Sequence, residues 1–311
     1  MQRFKNILLV LNHEGQETAA LDKAVSLARQ NGARITLFSV LMQPPGYQGY
    51  SVSVTKYQLK SAISERREWL RGLMVSMQVD DIDVVINVVE GIAFLEIIRQ
   101  VIREQHDLVI TTAEEKKGIR AHLFGTISMH LMRKCPCPVW VVKRTQTKPY
   151  TRILAAVDPS VYETERDSLN PMILQLASSM ACKESAELHI VHVWHLFGER
   201  YLSNRGLTEV TLEEAKDDEK TRSKQRIDTL LGGIDFANLK PHMHLIEGEP
   251  DERIPELVME QDIDLLIMGS VCRTGIAGFL MGNTAEEVLN QVDCSVLTIK
   301  PEGFITPVTL E

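Results

Sequence analysis

One spacing governs this chain. The stretch Gly91 to Lys143 lies on Gly248 to Lys300 without a gap, every position in the first falling 157 residues before its counterpart. Gly91 meets Gly248, Ile97 meets Ile254, Asp107-Leu108 meets Asp264-Leu265, Gly125 meets Gly282, Cys137 meets Cys294, Val139 meets Val296 and Lys143 meets Lys300. A gap-free match that runs through a glycine-bearing loop implies a duplicated unit of about half the chain. A length of 311 residues agrees, since it exceeds what one hydrophobic core usually supports. The expected domains are residues 1–146 and 151–303, with 144–150 as linker and 304–311 as a C-terminal tail.

Within each copy, strands and helices alternate. Ile7 to Leu11 and Ile153 to Val157 are short uninterrupted apolar runs, as central parallel strands covered on both faces require. Second strands follow at Ile35 to Leu41 and Leu188 to Trp194, third at Val84 to Val89 and His242 to Ile246, and fourth at Leu108 to Thr111 and Leu265 to Met268. Fifth strands are Val139 to Lys143 and Val296 to Lys300. Ala20, Ala24, Leu27 and Ala28 form a helical stripe that stops at Asn31-Gly32. In the second copy Asn170-Pro171 offers an N-cap and a first-turn proline. Residues 42–55 read as loop, and 195–210 as a longer connection to a charged helix near Thr211 to Leu231. Such alternation specifies α/β domains with parallel sheets and right-handed crossovers, whose ligands lie beyond the carboxyl ends of the strands.

Composition narrows the function classes. Residues 1–150 carry 20 Lys and Arg against 14 Asp and Glu, whereas residues 151–311 carry 14 against 28. A basic half beside an acidic half favours head-to-tail contact. The basic half lacks the interleaved aromatics or long Lys/Arg run of a nucleic-acid binder, so no nucleic-acid partner is expected. No apolar run approaches membrane-spanning length, and Met1 to Lys5 leads straight into a strand, so a cytoplasmic protein is expected. Five cysteines suggest no disulfide framework. His189, His192 and His195 recur every three residues, which strand alternation scatters, while His242 and His244 share a face. No metal site is expected from this spacing. Neither a Gly-x-Ser-x-Gly elbow nor the Gly-Lys-Ser/Thr end of a phosphate-cleaving loop is present, so no enzyme is expected.

The loop after the fourth strand carries a specific resemblance. From Met268 it reads Gly269-Ser270-Val271-Cys272, and it closes on Gly282-Asn283-Thr284. This resembles the universal stress protein family in its tandem, two-domain type, whose loop runs Gly, two residues, Gly, nine residues, Gly, then Ser or Thr. Gly269 and Gly282 fall in register, Cys272 stands for the middle glycine, Asn283 replaces the hydroxyl residue, and Thr284 follows. The resemblance implies that the loop wraps ATP phosphates, that Asp158 at the end of the first strand contacts the adenosine portion, and that Val193 supplies an apolar contact. It also implies two five-stranded sheets in order 3-2-1-4-5, of adenine nucleotide alpha hydrolase-like fold, paired as an intrachain pseudo-dimer in a bacterial, cytoplasmic stress-response protein.

The first copy has lost most of this frame. Asn12 replaces the Asp, Thr112 and Glu115 replace two glycines, and Gly125-Thr126 remains. Glycine lets backbone N–H groups approach phosphate oxygens, so these losses, with the added Glu115 charge, oppose polyphosphate binding there. ATP, with magnesium, is therefore expected in the second copy only. Simpler readings stand beside this one: Asn283 as a helix cap with Glu286 completing a box, and Asp158 in a turn with Pro159-Ser160. Cys272 beside Arg273 is either a redox-sensing thiol or an ordinary loop cysteine. Phe197, Tyr201, Leu202, Leu207 and Val210 either shelter an apolar or amphiphilic ligand or pack on the sheet. A slow ATPase is the weakest alternative, because only Asp158 offers itself as a catalytic group. The partners expected are a small-molecule ligand and a second tandem chain in a homodimer.

Overall fold

The computed structural model describes residues 3–11, 18–42, 52–113, 124–159, 169–198, 209–270 and 281–310. Two compact units divide them: residues 3–148 with 304–310, and residues 149–270 with 281–303. In the first unit the order is β1 (Asn6–Val10), α1 (Thr18–Asn31), β2 (Arg34–Leu41), α2 (Val52–Ser76), β3 (Val84–Glu90), α3 (Ala93–Glu104), β4 (Leu108–Thr112), α4 (Thr126–Lys134) and β5 (Val139–Val142). The second repeats it as β6 (Arg152–Ala156), α5 (Leu169–Glu184), β7 (Glu187–Trp194), α6 (Glu209–Gly232), β8 (His242–Glu247), α7 (Pro250–Glu260), β9 (Leu265–Gly269), α8 (Asn283–Gln291) and β10 (Ser295–Ile299). Strands lie in the order β3-β2-β1-β4-β5 and β8-β7-β6-β9-β10, all parallel within each unit. Ile7, Leu8, Leu9, Ile153 and Leu154 are wholly buried, as their uninterrupted apolar runs demand. The last residues belong with the first unit, where Arg99 Nε donates to Thr309 O (3.1 Å). One boundary differs from the sequence reading. Val52 to Thr55 open α2 rather than ending a loop, their β-branched side chains and serine having lowered the local helix signal without deciding it.

The repeated aspartate is structural. Asp107 Oδ2 accepts from Lys5 N (2.6 Å) and Oδ1 from Asn6 N (3.1 Å), while Asp107 N donates to Asn6 O (3.0 Å). In the second unit Asp264 Oδ2 accepts from Thr151 N and Thr151 Oγ1 (both 2.6 Å) and from Arg152 N (3.0 Å), and Asp264 N donates to Arg152 O (3.0 Å). Each carboxylate thus holds the start of the central strand against the start of the fourth.

The repeated Gly91 and Gly248 have a backbone reason. Their φ values are 153° and 137°, and a Cβ there would meet Cγ of Glu96 at 2.7 Å or Cγ of Arg253 at 2.9 Å. Those equivalent residues form charge-reversed pairs: Glu96 Oε1 accepts from Arg99 Nη1 (2.6 Å), and Glu256 Oε2 accepts from Arg253 Nη1 (2.7 Å). Duplication preserved the pair and exchanged its signs.

His192 on β7 is 4% exposed, and neither ring nitrogen has a hydrogen-bond partner. Burial pushes its pKa down to about 4, against the Val157 backbone and Glu219, with Arg226 acting in the same direction as burial. Between roughly pH 6.5 and 4 the unfolded chain therefore binds a proton that the folded chain refuses, so stability falls as pH falls. At pH 4.5 this amounts to about 2.5 kcal/mol. In urea unfolding, His192→Leu should lose about that much less stability than the parent chain between pH 7.5 and 4.5. Equal losses would remove His192 from the acid response.

Candidate functional site

The second sheet reverses its winding between β6 and β9, the position at which an open parallel sheet leaves a crevice at its carboxyl edge. Ala156 pairs with Val191 on one side and Met268 on the other, so Asp158, Val193 and Ser270 stand level just beyond the core. Val193 and Met268 are buried, and Asp158 is half-buried. Asn170 fixes Asp158. Its Oδ1 accepts from Asp158 N (3.0 Å) and its Nδ2 donates to Asp158 O (2.9 Å). Asn170 therefore lies within α5 and spends its amide on the strand end, which corrects its reading as an N-cap.

The passage from β9 into α8 turns on Ser270. Its N donates to Ile299 O (3.2 Å), its O accepts from Gly282 N (3.3 Å), and its Oγ accepts from Lys300 Nζ (2.6 Å). Lys300 is 6% exposed, so its amino group meets Ser270 inside the protein. Gly269 has a packing role as well, because a Cβ there would come within 2.8 Å of Leu169 Cδ2 on α5. Gly282 is the N-cap of α8, with φ −63°, ψ 141° and no side-chain capping bond. Asn283 is consequently the first helical residue rather than the cap, and the capping box with Glu286 does not form. A glycine cap brings no side-chain acceptor to the first-turn amides, while exposed Asn283 and Thr284 flank them. Such a helix start is suited to an anion.

The first unit keeps half of this arrangement. Gly125 likewise caps α4 with no side-chain capping bond among the described residues, and Thr126 is the first helical residue. At the end of β4, however, Thr112 places a buried Oγ1 without a hydrogen-bond partner where the second unit has Gly269. Asn12, Glu115 and Cys272 lie outside the described residues, as do Ser160, Tyr201, Leu202, Leu207 and the side chain of Val210. Phe197 is 90% exposed, so it does not pack on the sheet. The sequence reading missed the Asn170 clamp and the Ser270–Lys300 pair. A hint of the second existed, since Lys143 and Lys300 align in the repeat although both follow apolar strands.

The model of the universal stress protein family matches residues 3–143 and again residues 149–300. The chain belongs to the universal stress protein family. Among full-length relatives, universal stress protein E of Photorhabdus laumondii is 26% identical, covering 99% of this chain and 98% of that protein. Universal stress protein E of Escherichia coli K12 is 27% identical over 100% of this chain and 98% of its own length. Among solved structures, a functionally unknown protein of Pseudomonas aeruginosa PAO1 superposes with a TM-score of 0.71 at 24% identity, covering 97% of this chain and 95% of that one. A universal stress protein of Archaeoglobus fulgidus gives 0.62 at 17%, covering 94% and 98%. These two likenesses establish the tandem family fold.

The Ser270 junction is testable by unfolding. Ser270→Ala withdraws an acceptor from a buried ammonium and should destabilise the chain by about 1–3 kcal/mol in urea titration. In a Lys300→Met background the same substitution should matter less, since the donor that Ser270 accepts from is gone. Equal effects in both backgrounds would show that the pair is not coupled.

Proposed function

We propose that the second repeat binds an adenine nucleotide at the carboxyl edge of β6 and β9, and that this tandem universal stress protein acts in the cytoplasm as a non-catalytic stress-response binding protein. The observation that carries the reading is the start of α8, where Gly282 leaves the first-turn amides without a side-chain cap beside the winding reversal. Asp158, with its backbone held by Asn170, offers a carboxylate suited to hydroxyl donors. Val193 and Met268 offer apolar surface for a flat ring. Family membership and the in-register Gly269 and Gly282 support the same assignment. No helix among the described residues is long and apolar enough to cross a membrane.

The test is calorimetric titration of the full chain with ATP, ADP and AMP, accompanied by analysis of bound ATP after incubation. Gly282→Val should weaken ATP binding tenfold or more, since one lost charge-assisted contact is worth about 1.5–3 kcal/mol, whereas Gly125→Val should leave it unchanged. ATP should be recovered intact. Absence of nucleotide binding, or an amphiphile co-purifying in its place, would overturn the reading; release of ADP would overturn its non-catalytic part.

A further inference from the structure

The opposite edge of the second sheet holds a cluster that the nucleotide reading does not use. Glu187 and His189 are alternate residues at the amino end of β7, and His242 and His244 are alternate residues at the start of β8. The register sets His189 opposite His242, so all four side chains rise from one face of the outer strand pair. Ligand atoms of Glu187, His189 and His242 lie within 4.8 Å of one another. The His189 ring stacks on both neighbours, with centroids 4.9 Å from His242 and 5.2 Å from His244.

His189 carries the chemical signal. It is 4% exposed, and its Nδ1 stands 3.0 Å from His244 Nε2. Its Nε2 is buried with no hydrogen-bond partner, 3.8 Å from Glu187 Oε2. In the tautomer that donates Nδ1–H to His244, the Nε2 lone pair faces Glu187 and His242. An unsatisfied buried nitrogen costs about 1–3 kcal/mol.

We propose that Glu187, His189 and His242 bind a divalent cation of the zinc class, with His244 as the positioning residue that fixes the His189 tautomer. Two imidazoles and a carboxylate form the donor set such ions take, and water or an exogenous ligand completes the coordination. Bonds of about 2.1 Å at a tetrahedral centre put ligand atoms about 3.4 Å apart, a spacing the exposed Glu187 and His242 reach by side-chain rotation. Arg152 is the competitor. Its Nε lies 3.4 Å from Glu187 Oε2, but its Nη1 already lies 3.5 Å from Asp262 Oδ2, which can retain the guanidinium when Glu187 turns to the metal. A neutral His189 donating its second nitrogen to a neighbour follows the usual outer-shell pattern.

The test uses the full chain, stripped with chelator and titrated with Zn(II) by calorimetry and with Co(II) by absorption. We expect a single site whose Co(II) spectrum shows visible ligand-field bands without thiolate charge transfer. His242→Gln, at an exposed position that does not threaten folding, should weaken Zn(II) at least tenfold, as should His189→Gln; His244→Gln should weaken it by roughly tenfold, and His195→Gln not at all. Absence of Zn(II) binding, a thiolate band, or affinity unchanged in His242→Gln would overturn the proposal. Because this cluster and the carboxyl edge use different residues, loss of ATP binding leaves the result untouched.

Discussion

Parallel strands meet only after the chain has crossed over a helix, so nothing local sets where a central strand begins relative to the fourth. Asp107 and Asp264 supply that setting. Each anchors the backbone amides that start β1 or β6, while its own amide donates back across the strand pair. A slip of one residue would turn the buried faces of Leu8 or Leu154 to the wrong side. The same register decides which residues emerge together at the carboxyl edge, and it is why Asp158, Val193 and Ser270 stand level.

On this shared scaffold the two repeats diverge where side chains replace bare backbone. α4 and α8 begin in the same way, each at a glycine with no capping side chain. Amide donors at a helix start therefore do not by themselves distinguish the copies. What differs is the approach to them: Thr112 places a buried hydroxyl at the strand end where Gly269 lets Leu169 of α5 come close. The charge-reversed pairs Glu96–Arg99 and Arg253–Glu256 show the opposite behaviour, a local geometry kept while its electrostatic sense changed.

The strands were legible because a parallel sheet covered on both faces leaves uninterrupted apolar runs, and strand order followed from the family resemblance. Local polar signals were less reliable guides. Asn170 and Asn283 both looked like helix caps, since a short amide before a helix usually is one, yet tertiary structure uses Asn170 on Asp158 and makes Gly282 the cap. Ser270 and Lys300 escaped notice because their contact joins the ends of two different strands. The histidines illustrate the limit clearly. Alternation rightly separated His189 from His192, but the meeting of His189 with His242 depends on cross-strand register, which periodicity along one strand does not contain.

The two candidate sites differ in what their unsatisfied groups cost without a ligand. At α8 the first-turn amides, without a capping side chain among the described residues, lie beside exposed Asn283 and Thr284, and a glycine cap is only a few tenths of a kcal/mol worse than a polar one. Such a helix start can persist after its ligand has been lost, which fits its retention in both repeats. His189 Nε2 is shut away from solvent, so water does not repay its desolvation. Its Nδ1 is satisfied by His244, but a buried Nε2 without a partner is destabilising in every state that lacks one. The amide site is therefore cheap to keep idle, whereas any partner reaching His189 Nε2 would offset the desolvation of that nitrogen.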